Sequence, residues 1–145
     1  MIRTKYSRKS VPTPTIGNIG LYFTCYHLSL MGWNVLPTSR NAKGVDIIIY
    51  SQNGQRKISI QVKFLSKKNS VPLGNKLDSL ISDFVVICIR NSPNNPTCYI
   101  LKSQEVKNLV HKREKNENIS FWLQRPDYEK KNFLENWTEI GQGVP

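Results

Sequence analysis

The chain has 145 residues, 39% of them hydrophobic, and a net charge of +11 from 21 basic and 10 acidic side chains. That length builds one ordinary core without a disulfide or metal staple, and no stretch approaches the ~18 apolar residues of a membrane-spanning helix. The charge is uneven: residues 1–76 hold 12 basic side chains against one carboxylate, Asp46, while residues 77–145 hold nine of each sign. The whole surplus therefore lies in the N-terminal half and points to a polyanionic partner.

Residues 1–15 read as a flexible basic arm, with Arg3, Lys5, Arg8 and Lys9 and none of the apolar sequence that a secretory signal requires. Residues 16–145 read as a single domain. Ile19, Phe23, Tyr26 and Leu30 recur at helical spacing, which predicts a helix over 18–30 with Asn18 as N-cap and Gly32 as a left-handed stop. A short strand follows over 33–36, ended by Pro37, and then a basic loop containing Arg40 and Lys43. Two β-branched-rich runs, 45–51 and 56–64, flank Asn53-Gly54, the strongest short hairpin signal, whose two central residues would both take φ > 0. In that register paired residue numbers sum to 107. Asp46 then lies opposite Gln61, with Lys63 as its diagonal neighbour on one face, while Ile47, Ile49, Ile58, Ile60, Val62 and Phe64 form a pure core face.

After Lys67 and Lys68 comes a loop with Pro72 and Gly74, then a short helix around 75–82. Residues 83–90 include the continuous apolar run of a strand buried on both faces. A strand over 97–101, a helix over 103–115, a strand over 119–123 and a final helix from Pro126 to about Trp137 complete the order. The sum is an α/β domain with a mixed β-sheet flanked by helices. Cys25, Cys88 and Cys98 contain no C-x-x-C and read as free thiols of a reducing cytoplasm. His27 and His111 are too far apart for a zinc constellation, and His27 reads as structural. Trp33, Trp122 and Trp137 read as packing residues, and Lys112-Arg113-Glu114-Lys115 as a solvated helix end of mixed sign.

The chemistry gathers at the open end of the hairpin. One carboxylate, an amide and an ammonium beside a basic loop suit phosphodiester hydrolysis. Asp46 with nearby carbonyl oxygens would hold Mg²⁺, a hard cation that prefers oxygen, and Lys63 would orient or deprotonate the attacking water. Arg40, Lys43, Lys67 and Lys68, on the loops entering and leaving the hairpin, form a candidate phosphate track.

Gly17-Asn18-Ile19-Gly20, the helix ending at Gly32-Trp33-Asn34-Val35, Gly44-Val45-Asp46-Ile47-Ile48, the hairpin and Ile60-Gln61-Val62-Lys63 together resemble the core of the PD-(D/E)xK nuclease superfamily. The pattern is most similar to the branch of archaeal Holliday junction resolvases and Mrr-like restriction enzymes, and it covers roughly residues 16–68. The resemblance implies a restriction-endonuclease-like αβββαβ core and a DNA endonuclease dependent on Mg²⁺ or Mn²⁺. It implies catalytic roles for Asp46, Gln61 and Lys63, the last two in a Q-x-K form of the motif. It also implies metal ligation by Asp46, Gln61 and the Val62 carbonyl, DNA contact through the basic loops, and a homodimer that cuts both strands. Leu21 stands where members often carry a metal-binding Glu after G-x-x-G. The alternative is a nuclease-fold protein that binds nucleic acid or a protein partner without cleaving it. No separate DNA-recognition domain is visible, which favours recognition of DNA shape or recruitment by a partner. The basic excess lacks the amphipathic basic helix of a membrane-surface protein.

Overall fold

A computed structural model describes residues 12–39, 42–91 and 94–145. The basic segment 1–11 and Arg40 lie outside the described residues. Helix α1 (Thr13–Leu30) is followed by β1 (Asn34–Pro37), β2 (Ile47–Tyr50), β3 (Lys57–Leu65), β4 (Val71–Pro72), β5 (Phe84–Ile89), β6 (Thr97–Lys102), α2 (Ser103–Leu109), β7 (His111–Lys115), β8 (Asn118–Leu123) and α3 (Arg125–Tyr128). Single 3₁₀ turns occupy Leu77–Ser79 and Trp137–Glu139.

The main sheet has the order β1-β2-β3-β5-β6. Only β3 and β5 run parallel; the other neighbours are antiparallel, so the sheet is mixed. A smaller antiparallel sheet has the order β4-β8-β7. All six residues of β5 are buried, as the apolar run predicts, because both faces of the main sheet are covered. One face packs Ile47, Ile49, Ile60 and Val86 against Leu28 of α1, with Trp33 and Trp137 beside them. The other packs Val85, Ile87 and Leu101 against Val106 of α2, Leu123 of β8 and Tyr128 of α3. Cys88 and Cys98 are buried free thiols on neighbouring strands, 3.2 Å apart at sulfur. Their mutual hydrogen bond and their burial hold the Cys98 thiol well above its ordinary pKa.

Helix α1 differs from its sequence reading at its start and in its buried face. It begins at Thr13, not Asn18, since Pro14 in the first turn has no N–H to lose and its φ is already helical. Its C-terminus falls where Gly32 predicts: that residue has φ +86, and the Trp33 N–H reaches the Leu28 carbonyl. The buried positions are Gly20, Thr24 and Leu28. Of the apolar stripe read in the sequence, Phe23 packs against the core, while Ile19, Tyr26 and Leu30 are 42%, 60% and 68% exposed and face outward. The cause is Gly20: a Cβ there would sit 2.9 Å from the Phe64 ring, so the small residue marks the contact line with the sheet. Thr24 is buried without penalty because its hydroxyl donates to the Gly20 carbonyl at 2.8 Å.

The β2–β3 register is the predicted one, with Ile47 opposite Ile60 and Tyr50 opposite Lys57. The turn is different. Gly54 has φ +72, but Asn53 does not enter the left-handed region. Its side-chain oxygen accepts bonds from the Ser51 hydroxyl and the Gln55 N–H, and the loop spans four residues, closed by a Ser51 N–H bond to the Arg56 carbonyl. One residue is added on each side, so the sum of 107 survives.

Three predicted helices are shortened or replaced. Residues 75–82 hold only the 3₁₀ turn. The 103–115 helix stops at Leu109, and His111–Lys115 forms β7, paired residue by residue with β8. The final helix is one turn long, and residues 133–135 run along the open edge of β6 instead. There the Ile100 N–H donates to the Phe133 carbonyl, and Glu135 and Cys98 bond through their main chains. Covering an edge strand in this way satisfies backbone groups that a helix would leave bare.

Candidate active site

Asp46 sits at the entry to β2, and a local irregularity aims it. Ile47 pairs with Ile60, yet the Asp46 N–H also donates to the Ile60 carbonyl, at 2.9 Å. Two residues of one strand thus oppose one of the other, the arrangement of a β-bulge. This corrects the expectation that Asp46 lies squarely opposite Gln61. The bulge swings the carboxylate toward the main chain of β3, where Oδ2 accepts the Val62 N–H at 2.7 Å. On the other side the Asp46 carbonyl accepts the Thr38 N–H at 2.9 Å, and the Thr38 hydroxyl bonds the Val45 carbonyl at 2.6 Å. Asp46 is therefore clamped from both flanks. The other carboxylate oxygen is not used by these bonds.

Asp46 and Val62 line a cleft of about 350 Å³ together with Thr38, Ser39 and the first turns of α1, from which Pro14, Gly17, Asn18 and Leu21 project. Asn18, read in the sequence as a cap, stands inside the helix and faces this cleft. The signal that could have found it is its i, i+3 spacing to Leu21, the position that the resemblance assigns to the site. Leu21 does face Asp46's cleft, and it brings an apolar side chain there.

Gln61 and Lys63 point to the other side of β3, as strand alternation requires. They line a second cleft, of about 260 Å³, with Lys43, Gly44, Leu73, Ser79 and Leu80. Asp46 and Gln61 therefore stand in neighbouring clefts and not in one. Lys63 links the two electrostatically. Burial pushes its ammonium below the ordinary lysine value, and the Asp46 carboxylate pulls it back upward. Lys43 lines the same cleft as Lys63. Lys67 lies exposed in the turn after β3. Lys68 is engaged elsewhere: its ammonium pairs with Glu129 at 2.7 Å, and with Arg125 it holds the Glu129 carboxyl down at about 2, the Arg125 contribution being the larger.

Among the described residues no three His, Cys, Asp or Glu side chains converge on one point. The side chains that line the cleft with Asp46 bring no sulfur and no imidazole: beside the carboxylate stand the Asn18 amide, the Thr38 and Ser39 hydroxyls and main-chain carbonyls. A strand residue presents its N–H and C=O to the same neighbour. The Val62 carbonyl thus shares the edge on which its N–H meets Asp46. Such a set fits a hard divalent cation that keeps several waters and completes its shell with phosphate oxygens. It does not fit a closed structural metal cage.

No known family profile matches the sequence, and comparison with curated proteins yields no match. Solved structures do match. Hjc, a Holliday junction resolvase from the archaeal hyperthermophile Archaeoglobus fulgidus, superimposes with a TM-score of 0.58 at 14% identity, over 86% of this chain and 94% of its own. The bacterial homing endonuclease I-Ssp6803I superimposes with a TM-score of 0.59 at 16% identity, over 90% of this chain and 94% of its own. One is a resolvase and the other a homing endonuclease, and this chain shares their restriction-endonuclease-like fold.

Proposed function

We propose that the chain is a divalent-metal-dependent DNA endonuclease that hydrolyses phosphodiester bonds where β2 and β3 part. The observation that carries this reading is Asp46, the one carboxylate of the basic half, clamped against Val62 with a desolvated Lys63 across the strand. Asp46 and the Val62 carbonyl would hold Mg²⁺ or Mn²⁺, with Asn18 as a further oxygen donor. When bound, the ion acidifies a water and offsets charge on the phosphate. Lys63 takes the proton of the attacking water: its lowered pKa puts the neutral amine closer to neutral pH, where a general base works. Gln61, in the same cleft, orients that water or the scissile phosphate, in place of the metal-ligand role that the resemblance implied for it. Lys43 and Lys67, with Arg40, contact flanking phosphates, and Lys68 does so only when it leaves Glu129. A homodimer would place two such sites on the two strands.

The test is cleavage of supercoiled, linear and four-way-junction DNA in Mg²⁺ or Mn²⁺. Asp46→Ala and Lys63→Ala are each expected to lower the rate by roughly 10² or more and to leave DNA binding largely intact. Undiminished cleavage in both variants would sink the proposal. A second reading is favoured by Leu21, whose apolar side chain lines Asp46's cleft: a nuclease fold that binds DNA or a protein partner without cutting. DNA binding with no cleavage in either metal selects it.

A further inference from the structure

We propose that the β7–β8 ribbon is a DNA-contacting arm, and that Arg113 and Lys115 on its outward face bind backbone phosphates of a duplex. The proposal rests on the DNA-binding half of the function proposed above and not on cleavage. As a helix, Lys112-Arg113-Glu114-Lys115 would have scattered its charges. As a strand it sorts them, because alternate side chains take opposite faces. His111, Arg113 and Lys115 share one face, and their cross-strand partners are Trp122, Ser120 and Asn118. None of these six carries a carboxylate. Lys112 and Glu114 fall on the other face, opposite Phe121 and Ile119. Leu123, next in that row, is completely buried, so at the root of the ribbon this second face is turned toward the body, while every residue of β7, Arg113 and Lys115 included, is exposed. The even balance of nine basic and nine acidic groups over residues 77–145 thus conceals a strand face whose two formal charges, Arg113 and Lys115, are both positive.

The ribbon is built to keep that face in place. Its two-residue tip, Asn116 and Glu117, holds φ +50 and +65, the tight turn whose twist matches paired strands. The Arg113 guanidinium lies over the Trp122 ring, 5.6 Å from its centroid, and the Trp122 N–H is bonded to Ser120. His111 meets Asp127 at 3.0 Å and ties the base of β7 to α3. Five residues at ~3.3 Å per residue give a finger roughly 16 Å long and two strands wide, dimensions that the B-DNA major groove admits. Its root adjoins the candidate site: the Leu73 N–H donates to the Phe121 carbonyl at 2.9 Å, and Leu73 lines the cleft of Gln61, Lys63 and Lys43. β7 is the outer strand of its sheet and is exposed throughout. Cations on such an edge also discourage pairing with a second chain, the rival explanation of the same residues.

The experiment measures binding of a 25-base-pair duplex by fluorescence anisotropy between 50 and 200 mM salt. The proteins are the full chain, Arg113→Gln/Lys115→Gln, and Lys130→Gln/Lys131→Gln as an equal removal of charge elsewhere. The ribbon variant is expected to raise Kd about tenfold and to flatten the log–log salt slope by roughly 1.8, that is 0.9 for each phosphate no longer neutralised. The control should stay within about threefold of the parent. Equal Kd and slope in the two variants overturn the proposal, as does a ribbon variant that self-associates with unchanged DNA affinity. A parent that binds DNA through the ribbon and cuts nothing leaves this inference standing and removes the nuclease reading alone.

Discussion

Lys63 is subject to two opposed demands. Burial favours its neutral amine, the nearby Asp46 carboxylate favours the ammonium, and burial wins, so its pKa is lowered. The consequence for stability has a definite sign. Between the lowered folded value and the ordinary unfolded one, the unfolded chain binds more protons. Stability therefore rises with pH across that window, and the cost of keeping Lys63 charged is fully present below it. At pH 7, Lys63→Met removes the cost. The expected result is a Tm higher by roughly 2 °C together with loss of cleavage, the trade expected of a site that sacrifices stability for chemistry. Melts at pH 7 and pH 10 check this: the gain should shrink at the higher pH, and a gain independent of pH would assign it to packing.

At the scale of elements, small residues decide where α1 sits. At Gly20 a Cβ would meet Phe64 Cβ at 3.0 Å and its ring at 2.9 Å, whereas at Gly17 nothing lies within 4 Å. Gly20→Ala is expected to destabilise by about 1–3 kcal/mol through overpacking. Gly17→Ala should stabilise by about 0.5–1 kcal/mol, the ordinary helical gain over glycine. Urea melts of the pair distinguish contact from propensity, and equal shifts would mean that the helix does not bear on Phe64 as described. The same contrast shows what was legible in the sequence. The β2–β3 register and the buried β5 could be read because β-branched alternation and an unbroken apolar run are local signals. The buried face of α1 could not be read from apolar spacing, although a glycine at 20 already allows the close approach that fixes it. Nor could the switch at 110, where Val106, Leu109 and Val110 fit a helical period and only pairing with β8 turns Lys112–Lys115 into a strand. At the site, spacing brought Asp46 to β3, but the bulge that turns it toward Val62 depends on bonds to Thr38 and Ile60 from both sides.

At the scale of the molecule, the last residues fasten elements that are far apart in the chain. The Trp33 indole donates to the Gly141 carbonyl at 2.8 Å, and the Arg56 guanidinium reaches the Ile140 and Gln142 carbonyls at 3.0 Å while it lies over the Trp33 ring. Gly143 accepts from the Gln52 N–H and donates to the Met31 carbonyl, so the hairpin turn, the end of α1 and the start of β1 are bound through one short segment. Gly143 has no room for a side chain: a Cβ there would meet the Gly32 carbonyl oxygen at 2.5 Å. Deleting Gly141–Pro145 removes four long-range hydrogen bonds and leaves the N–H of the buried Trp33 without its acceptor. At about 1 kcal/mol per bond the expected loss is roughly 2–4 kcal/mol. It should appear as a lower urea midpoint with a nearly unchanged m-value, because the same core still unfolds in one step. Gly143→Ala alone should show a large part of that loss. Asp46 and Lys63 touch none of these residues, so DNA binding measured well below the melting temperature should persist in both variants. A deletion that leaves the midpoint unmoved would mean that the segment lies on the hairpin without holding it.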